Sequence, residues 1–227
     1  MSFLRWLPER WRRRIRDYAP RGFPDAASCG AFYDARARLF GDDEAAVLEY
    51  SDLSVQERLF ERAAALLPPR GRVLDVGCGL GHLYDYIVRS AFDVTSYHGI
   101  DVSAAVLDRA VQRIGDDDRV HLASVDLTRE DLAEGSHDVG YIISVLGYPI
   151  GRDPTASMMT ILEKAFAACT GGIVFTHVME GRRERPLAFP TVPEELAACC
   201  KRALGAEATI DDDGVDFTYL MRLVRRE

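Results

Sequence analysis

Three glycines and three aspartates are spaced so that together they could hold a nucleoside. The glycines lie in the stretch Arg72-Val73-Leu74-Asp75-Val76-Gly77-Cys78-Gly79-Leu80-Gly81-His82-Leu83. An apolar run there enters a glycine-rich bend and then a helical pattern. Bare glycines let a backbone approach a ligand closely, and the helix behind such a bend presents unpaired N–H groups. Asp75 stands just before the first glycine, which suits a nucleoside carrying positive charge better than one carrying a pyrophosphate. A dinucleotide fingerprint needs G-x-G-x-x-G; here the third glycine comes one residue early, at Gly81, and His82 takes the expected slot. No Gly-Lys-Ser/Thr follows, so a Walker phosphate loop is excluded. Asp101 lies 24 positions after Gly77, near the spacing at which an acid meets a ribose. A carboxylate there can accept from two neighbouring hydroxyls together.

Such residues need strands to carry them to one edge. From residue 71 onward, short apolar runs alternate with helical patterns, the signal of βαβ units and a mostly parallel sheet. Strands are expected at 72–76, 98–102, 119–125, 138–144 and 172–177, with helices at 80–89, after Ser103, at 155–169 and at 193–204. Open sheets of this kind bind ligands at the carboxyl ends of their strands. Asp101-Val102 and Asp126-Leu127 fall at two such ends and Ser144 at a third. Two further strands, 206–211 and 215–225, flank Asp212-Asp213-Gly214, a hairpin signal. Ahead of the glycines, residues 28–67 read as helical, with Ser54 and Glu57 forming a capping-box signature. The expected organisation is a helical cap over 1–67 and a sheet domain over 68–227.

The pattern V-L-D-V-G-C-G-x-G at residues 73–81 resembles motif I of the class I S-adenosylmethionine (SAM)-dependent methyltransferases, and the resemblance extends over about 33–225. It implies an α/β, Rossmann-like, doubly wound sheet of seven strands, mostly parallel and closed by a C-terminal antiparallel hairpin. It implies SAM as cofactor and S-adenosylhomocysteine as product, with Gly77, Cys78, Gly79 and Gly81 packed against the methionine part. Asp126 would accept from the adenine amino group, and the Leu127 N–H would meet the ring. Asp75 and Ser144 would lie beside the cofactor. The segment from Tyr50 to Arg58 resembles a pre-motif element of bacterial small-molecule members; Gln56, with Arg38 or Arg58, would face the methionine carboxylate, and Tyr33 would be a lid residue meeting cofactor or substrate.

Methyl transfer from a sulfonium is an in-line displacement whose carbon is already activated, so positioning is the main work. A base is needed only if the acceptor must lose a proton; the candidates are His177, after the fifth strand, and Tyr148, in the loop after the fourth. Metal-dependent relatives place carboxylates where this chain has Ser144 and His177, so no metal is expected, and zinc spacing is absent. Arg182, Arg183 and Arg185 mark a candidate specificity loop. The expected function is methyl transfer to an oxygen or nitrogen of a small metabolite or biosynthetic intermediate. The alternatives are SAM-dependent cyclisation or elimination without methyl transfer, and a non-catalytic SAM-binding partner subunit.

Bulk properties narrow the field. A net charge of −8 over 227 residues argues against general nucleic-acid binding. Five cysteines without regular spacing read as reduced thiols in the cytoplasm. No apolar run reaches the roughly 18 residues of a membrane span, and no apolar secretion-signal core is expected near the start. Residues 1–21 carry seven arginines against two acids, interleaved with apolar residues. They are expected to form an amphipathic helix that lies on the acidic body or joins a second copy in a homodimer.

Overall fold

The computed structural model describes residues 22–179, 190–212, 215 and 217–226. The Arg-rich segment 1–21 with its expected dimer contact, and the loop bearing Arg182, Arg183 and Arg185, lie outside them. Helices α1 (Ala26–Phe40), α2 (Glu44–Val47) and α3 (Leu53–Leu66) precede the sheet. There follow β1 (Gly71–Val76), α4 (His82–Arg89), β2 (Val94–Asp101), α5 (Ala104–Ile114), β3 (Val120–Ser124) and β4 (Val139–Ile142). The chain continues through α6 (Pro154–Ala168), β5 (Ile173–Val178), α7 (Pro193–Leu204), β6 (Ala206–Asp211) and β7 (Thr218–Arg225).

The seven strands form one sheet in the order β3-β2-β1-β4-β5-β7-β6. Strands β1 to β5 run parallel, while β7 inserts antiparallel between β5 and β6. The order reverses between β1 and β4, and crevices at such switch points are where doubly wound sheets bind ligands. Alternate residues face opposite layers. Leu74, Ile142 and Phe175 pack beneath Leu162 and Phe166 of α6, and Val73, Tyr141 and Val174 pack beneath Leu59 of α3 and Ile87 of α4. Both faces are therefore covered, as the apolar runs required.

Local details differ from expectation. The N-cap of α3 is Asp52, whose carboxylate accepts from the Ser54 N–H at 2.6 Å. Ser54 therefore sits inside the first turn, and Glu57 pairs with Arg89 instead of closing a capping box. Strand β2 begins four residues earlier than its apolar residues indicate, because pairing with β1 and β3 extends past them. Val111 of α5 is apolar yet exposed.

His98 in β2 and His137 before β4 stack, with centroids 5.2 Å apart and Nδ1 of His98 3.1 Å from Nε2 of His137. Burial pushes His137 down to about 4, with His98 and Arg72 adding to it. An unfolded histidine titrates near 6.5, so below that pH the unfolded chain takes up a proton that the folded one refuses. The pair's stability is intact above pH 6.5 and falls as pH drops towards 4, by on the order of 2–3 kcal/mol. Denaturant unfolding at pH 7.5 and 5 should show this loss in the wild type and a smaller one in His137→Asn; equal losses would refute the assignment.

Candidate functional site

The glycine bend is held by its own amides. Gly77 and Cys78 both donate N–H to the Ile100 carbonyl, at 2.7 and 3.0 Å, and Gly81 donates to Cys78 at 2.9 Å. Gly79 donates to Asp101 Oδ2 at 3.0 Å. These four N–H groups are spent inside the protein, so the bend is not built to grip a phosphate, in accord with the early third glycine. Gly77 takes φ +70°, and a Cβ there would lie 2.3 Å from Val145 Cγ2, so the bend and the β4 loop pack with no room for a side chain.

Together with β2 and β4, the bend walls a cavity of about 980 Å³ counted out to its mouth. The floor is Val76, Gly77, Cys78 and Gly79, with Asp101 and Val102 after β2 and Asp126 and Leu127 after β3. Ser144, Val145 and Tyr148 close it from the β4 loop, while Tyr33, Leu48, Tyr50 and Gln56 roof it from the helices before the sheet. Among the described lining residues there is no lysine, arginine or histidine. Arg38 and Arg58, expected near a carboxylate, do not line it.

Asp101 ends β2 with Oδ2 accepting from the Gly79 N–H and Oδ1 from the Ser103 N–H at 2.9 Å, and the Val102 N–H also bonds to the carboxylate. The remaining lone pairs are available to ligand hydroxyls, and burial raises this carboxyl above the usual aspartate range. Asp126 Oδ1 accepts from the N–H and Oγ1 of Thr128, and Arg129 stands 3.8 Å from Oδ2. It braces a turn and lines the cavity at once. Ser144 has φ 60°, a left-handed conformation that non-glycine residues rarely take. Its N–H donates to Thr176 Oγ1, and its Oγ accepts from the Tyr50 hydroxyl at 2.8 Å. Gln56 hydrogen-bonds the Tyr50 hydroxyl and, at 2.7 Å, Nδ1 of His82. Nε2 of His82 faces Glu44, which pairs with Arg113.

Three expected site residues lie elsewhere. Asp75 is buried under the bend, where the Tyr97 hydroxyl donates to it and burial pushes its carboxyl up to about 7. It braces the floor and does not line the cavity. Gly81 is the left-handed N-cap of α4, and its missing Cβ makes room for Ile114. His177 points to the opposite face of β5 from Thr176, edge-on to Tyr219 across the β5–β7 pair, so it is not placed to touch an acceptor in this cavity. Glu49, which the sequence did not single out, stands behind two lining residues and accepts from the hydroxyls of both Tyr33 and Tyr148.

The roof is tightly seated. Asp34 of α1 accepts from Ser103 Oγ and the Ala105 N–H. A Cβ on Gly30 would lie 2.3 Å from the Val102 carbonyl, so α1 meets the β2–α5 turn backbone to backbone. Phe23 bridges to Ile150, and its ring meets Tyr148 at 5.3 Å. No three His, Cys, Asp or Glu among the described residues are grouped to hold a metal ion. No described helix is long and apolar enough to cross a membrane.

Comparison with known proteins supplies the context. Residues 74–172 match the family described as a methyltransferase domain. No curated protein sequence matches the chain significantly. Among solved structures, the DhpI–SAH complex is similar at TM-score 0.63 and 18% identity, covering 89% of this chain and 98% of that one. The 4+2 cyclase SpnF is similar at TM-score 0.66 and 16% identity, over 90% and 98%. Phosphoethanolamine N-methyltransferase 2 of Haemonchus contortus, in complex with phosphomonomethylethanolamine and S-adenosylhomocysteine, gives TM-score 0.60 and 15% identity, over 82% and 60%. At these identities the likeness shows the fold.

Proposed function

We infer from a chain with the class I methyltransferase fold, whose residues 74–172 match a methyltransferase domain, that it binds SAM and transfers the methyl group to an oxygen or nitrogen of a small metabolite or biosynthetic intermediate. One observation carries the reading: the spent amides of the glycine bend, Asp101 and Asp126 line one cavity at three neighbouring strand ends. Asp101 would hold the ribose hydroxyls, Asp126 and the Leu127 N–H the adenine, and Gly77 to Gly79 the methionine part. Gln56, Tyr50 and Ser144 would meet the amino-acid end, and Tyr33 and Tyr148 the acceptor.

SAM supplies a methyl group already activated by its positive sulfur, and on that ground we read the transfer as metal-independent. What the chain adds is alignment under a roof, residues 22–67 being the cap of a sheet domain that follows. The acceptor is read as small because α1 is seated directly on the β2–α5 turn, leaving little space for a polymer. Its five unpaired cysteines support a cytoplasmic enzyme. SAM and S-adenosylhomocysteine should each raise the melting temperature, and labelled methyl from SAM should enter the low-mass fraction of a cell extract. If neither compound shifts the melting temperature, the cofactor reading fails. Cyclisation or elimination without methyl transfer is the second reading; its cyclisation arm is supported by the described lining, which holds no histidine or lysine to deprotonate an acceptor. Methylthioadenosine accumulating from SAM alone would favour elimination.

A further inference from the structure

We propose that the corner of the cavity lined by Tyr33 and Tyr148, whose hydroxyls are both held by Glu49 behind them, is a subsite for a positively charged onium group, either a sulfonium or an ammonium. The proposal rests on the SAM reading for the first of these guests.

Glu49 lies between α2 and α3 with φ 62°, a left-handed backbone that costs a non-glycine residue on the order of 1 kcal/mol. Strain of this kind persists where the surroundings over-determine it, and it clusters at ligand sites. Here it accompanies a convergence. The Tyr33 hydroxyl donates to Glu49 Oε2 at 3.1 Å, and the Tyr148 hydroxyl donates to the same oxygen at 2.7 Å. A phenol has one proton to give, and both tyrosines have spent theirs on Glu49. What they offer the cavity is lone pairs and ring faces. Such a corner accepts cations and hydrogen-bond donors, and it repels carboxylates and phosphates.

The surroundings agree in sign. Tyr33 and Tyr148 both line the cavity, as do Asp101 and Asp126, while no cationic side chain does among the described residues. Phe32 stands behind them, edge-on to Tyr33 at 5.2 Å and to Tyr148 at 6.5 Å, with the Arg36 guanidinium 5.5 Å from its ring centroid, so the aromatic rings that line this corner are those of the two tyrosines. The nearest cation, Arg36, reaches only Oε1, at 3.7 Å. Its other nitrogens donate to the carbonyls of Ala46 and Val47, and its guanidinium lies over Phe40. It steadies the carboxylate from one side and leaves Oε2 to the phenols. Burial, with Glu49 beside them, holds both phenols well above their ordinary range, so they stay protonated donors to Glu49.

A carboxylate that merely latched the roof would treat charged and neutral ligands alike, and this separates the two roles. Glu49→Gln keeps an oxygen for both hydroxyls and removes the charge. Titration calorimetry on wild type and variant, with SAM (sulfonium) against S-adenosylhomocysteine (neutral thioether), reads the cofactor arm. Tetramethylammonium titrated into the S-adenosylhomocysteine-loaded protein reads the acceptor arm. We expect Glu49→Gln to weaken SAM about tenfold while S-adenosylhomocysteine stays within about twofold. Tyr148→Phe, which keeps the charge but loosens its placement, should shift the same ratio less. A ratio left unchanged, with Glu49-dependent binding of tetramethylammonium, assigns the corner to an ammonium of the acceptor. An unchanged ratio without that binding overturns the proposal. If the wild type binds neither SAM nor S-adenosylhomocysteine, the cofactor reading has failed; tetramethylammonium on the unloaded protein then decides the subsite alone.

Discussion

Asp101→Ala is expected to lower the affinity for S-adenosylhomocysteine by roughly 100-fold or more. Hydrogen bonds to a charged group contribute about 1.5–3 kcal/mol each, and a carboxylate at this strand end can accept from two ribose hydroxyls. The protein's own claim on Asp101 is limited to backbone N–H groups, those of Gly79, Ser103 and Val102. Losing the carboxylate leaves these three donors beside a solvent-reached cavity, so the melting temperature should fall by only a few degrees. The pH profile has a definite sign. Burial raises the Asp101 carboxyl, so it takes up a proton at higher pH than an ordinary aspartate and then has fewer lone pairs to offer. Affinity should therefore be full at neutral pH and decline on acidification earlier than exposed aspartates would dictate. Asp126→Ala should cost less, about tenfold, because Oδ1 already serves Thr128. Calorimetry at several pH values decides; a ligand affinity that survives Asp101→Ala removes the ribose role.

That Asp101 and Asp126 stand at strand ends beside one cavity was legible in the sequence because strand ends are legible. An acid that follows an apolar run and precedes a helix cap has few places to go. His177 failed for a reason the same rule contains. Strand β5 is buried on both faces, so its residues read as one apolar run with no alternation to tell one face from the other. Thr176 faces the cavity side, hydrogen-bonded to Ser144, and His177, one residue on, faces Tyr219. The strand was correctly placed, but its parity was not readable. The same run conceals that β7 separates β5 from β6, since pairing order leaves no periodic mark.

Glu49 was invisible for a different reason. It sits between two short helices among other acids, and its partners lie 16 and 99 positions away in the chain. Only the packing of α1 and the β4 loop onto one another brings the two hydroxyls to it. Gly81 shows that a motif residue can serve the motif without touching the ligand: its bare Cα admits Ile114 of α5 and so sets how α4 leaves the bend. Asp75 belongs with it. Buried and held by Tyr97, it supports the floor from below.

The lack of an arginine among the described lining residues leads to the second large effect. A methionine carboxylate needs donors, and those on offer come from an uncharged string. Because Tyr50 donates to Ser144 Oγ, the Ser144 proton is left for the cavity. Gln56 is held between Tyr50 and His82, and His82 is anchored by Glu44 and Arg113. These groups are oriented before a ligand arrives, which limits what ordering costs on binding. A Gln56→Ala, Ser144→Ala double variant should therefore weaken S-adenosylhomocysteine by about 30- to 100-fold, from two charge-assisted bonds of about 1–1.5 kcal/mol each after water partly replaces them. Methylthioadenosine, which has the same nucleoside and sulfur but no carboxylate, should change by less than about threefold. His82→Asn should fall between the wild type and the double variant, since it loosens Gln56 without removing it. Calorimetry with the two ligands separates the readings: equal losses would mean that the string supports the whole cavity and not its carboxylate end. No loss for either would place the carboxylate on residues beyond this string.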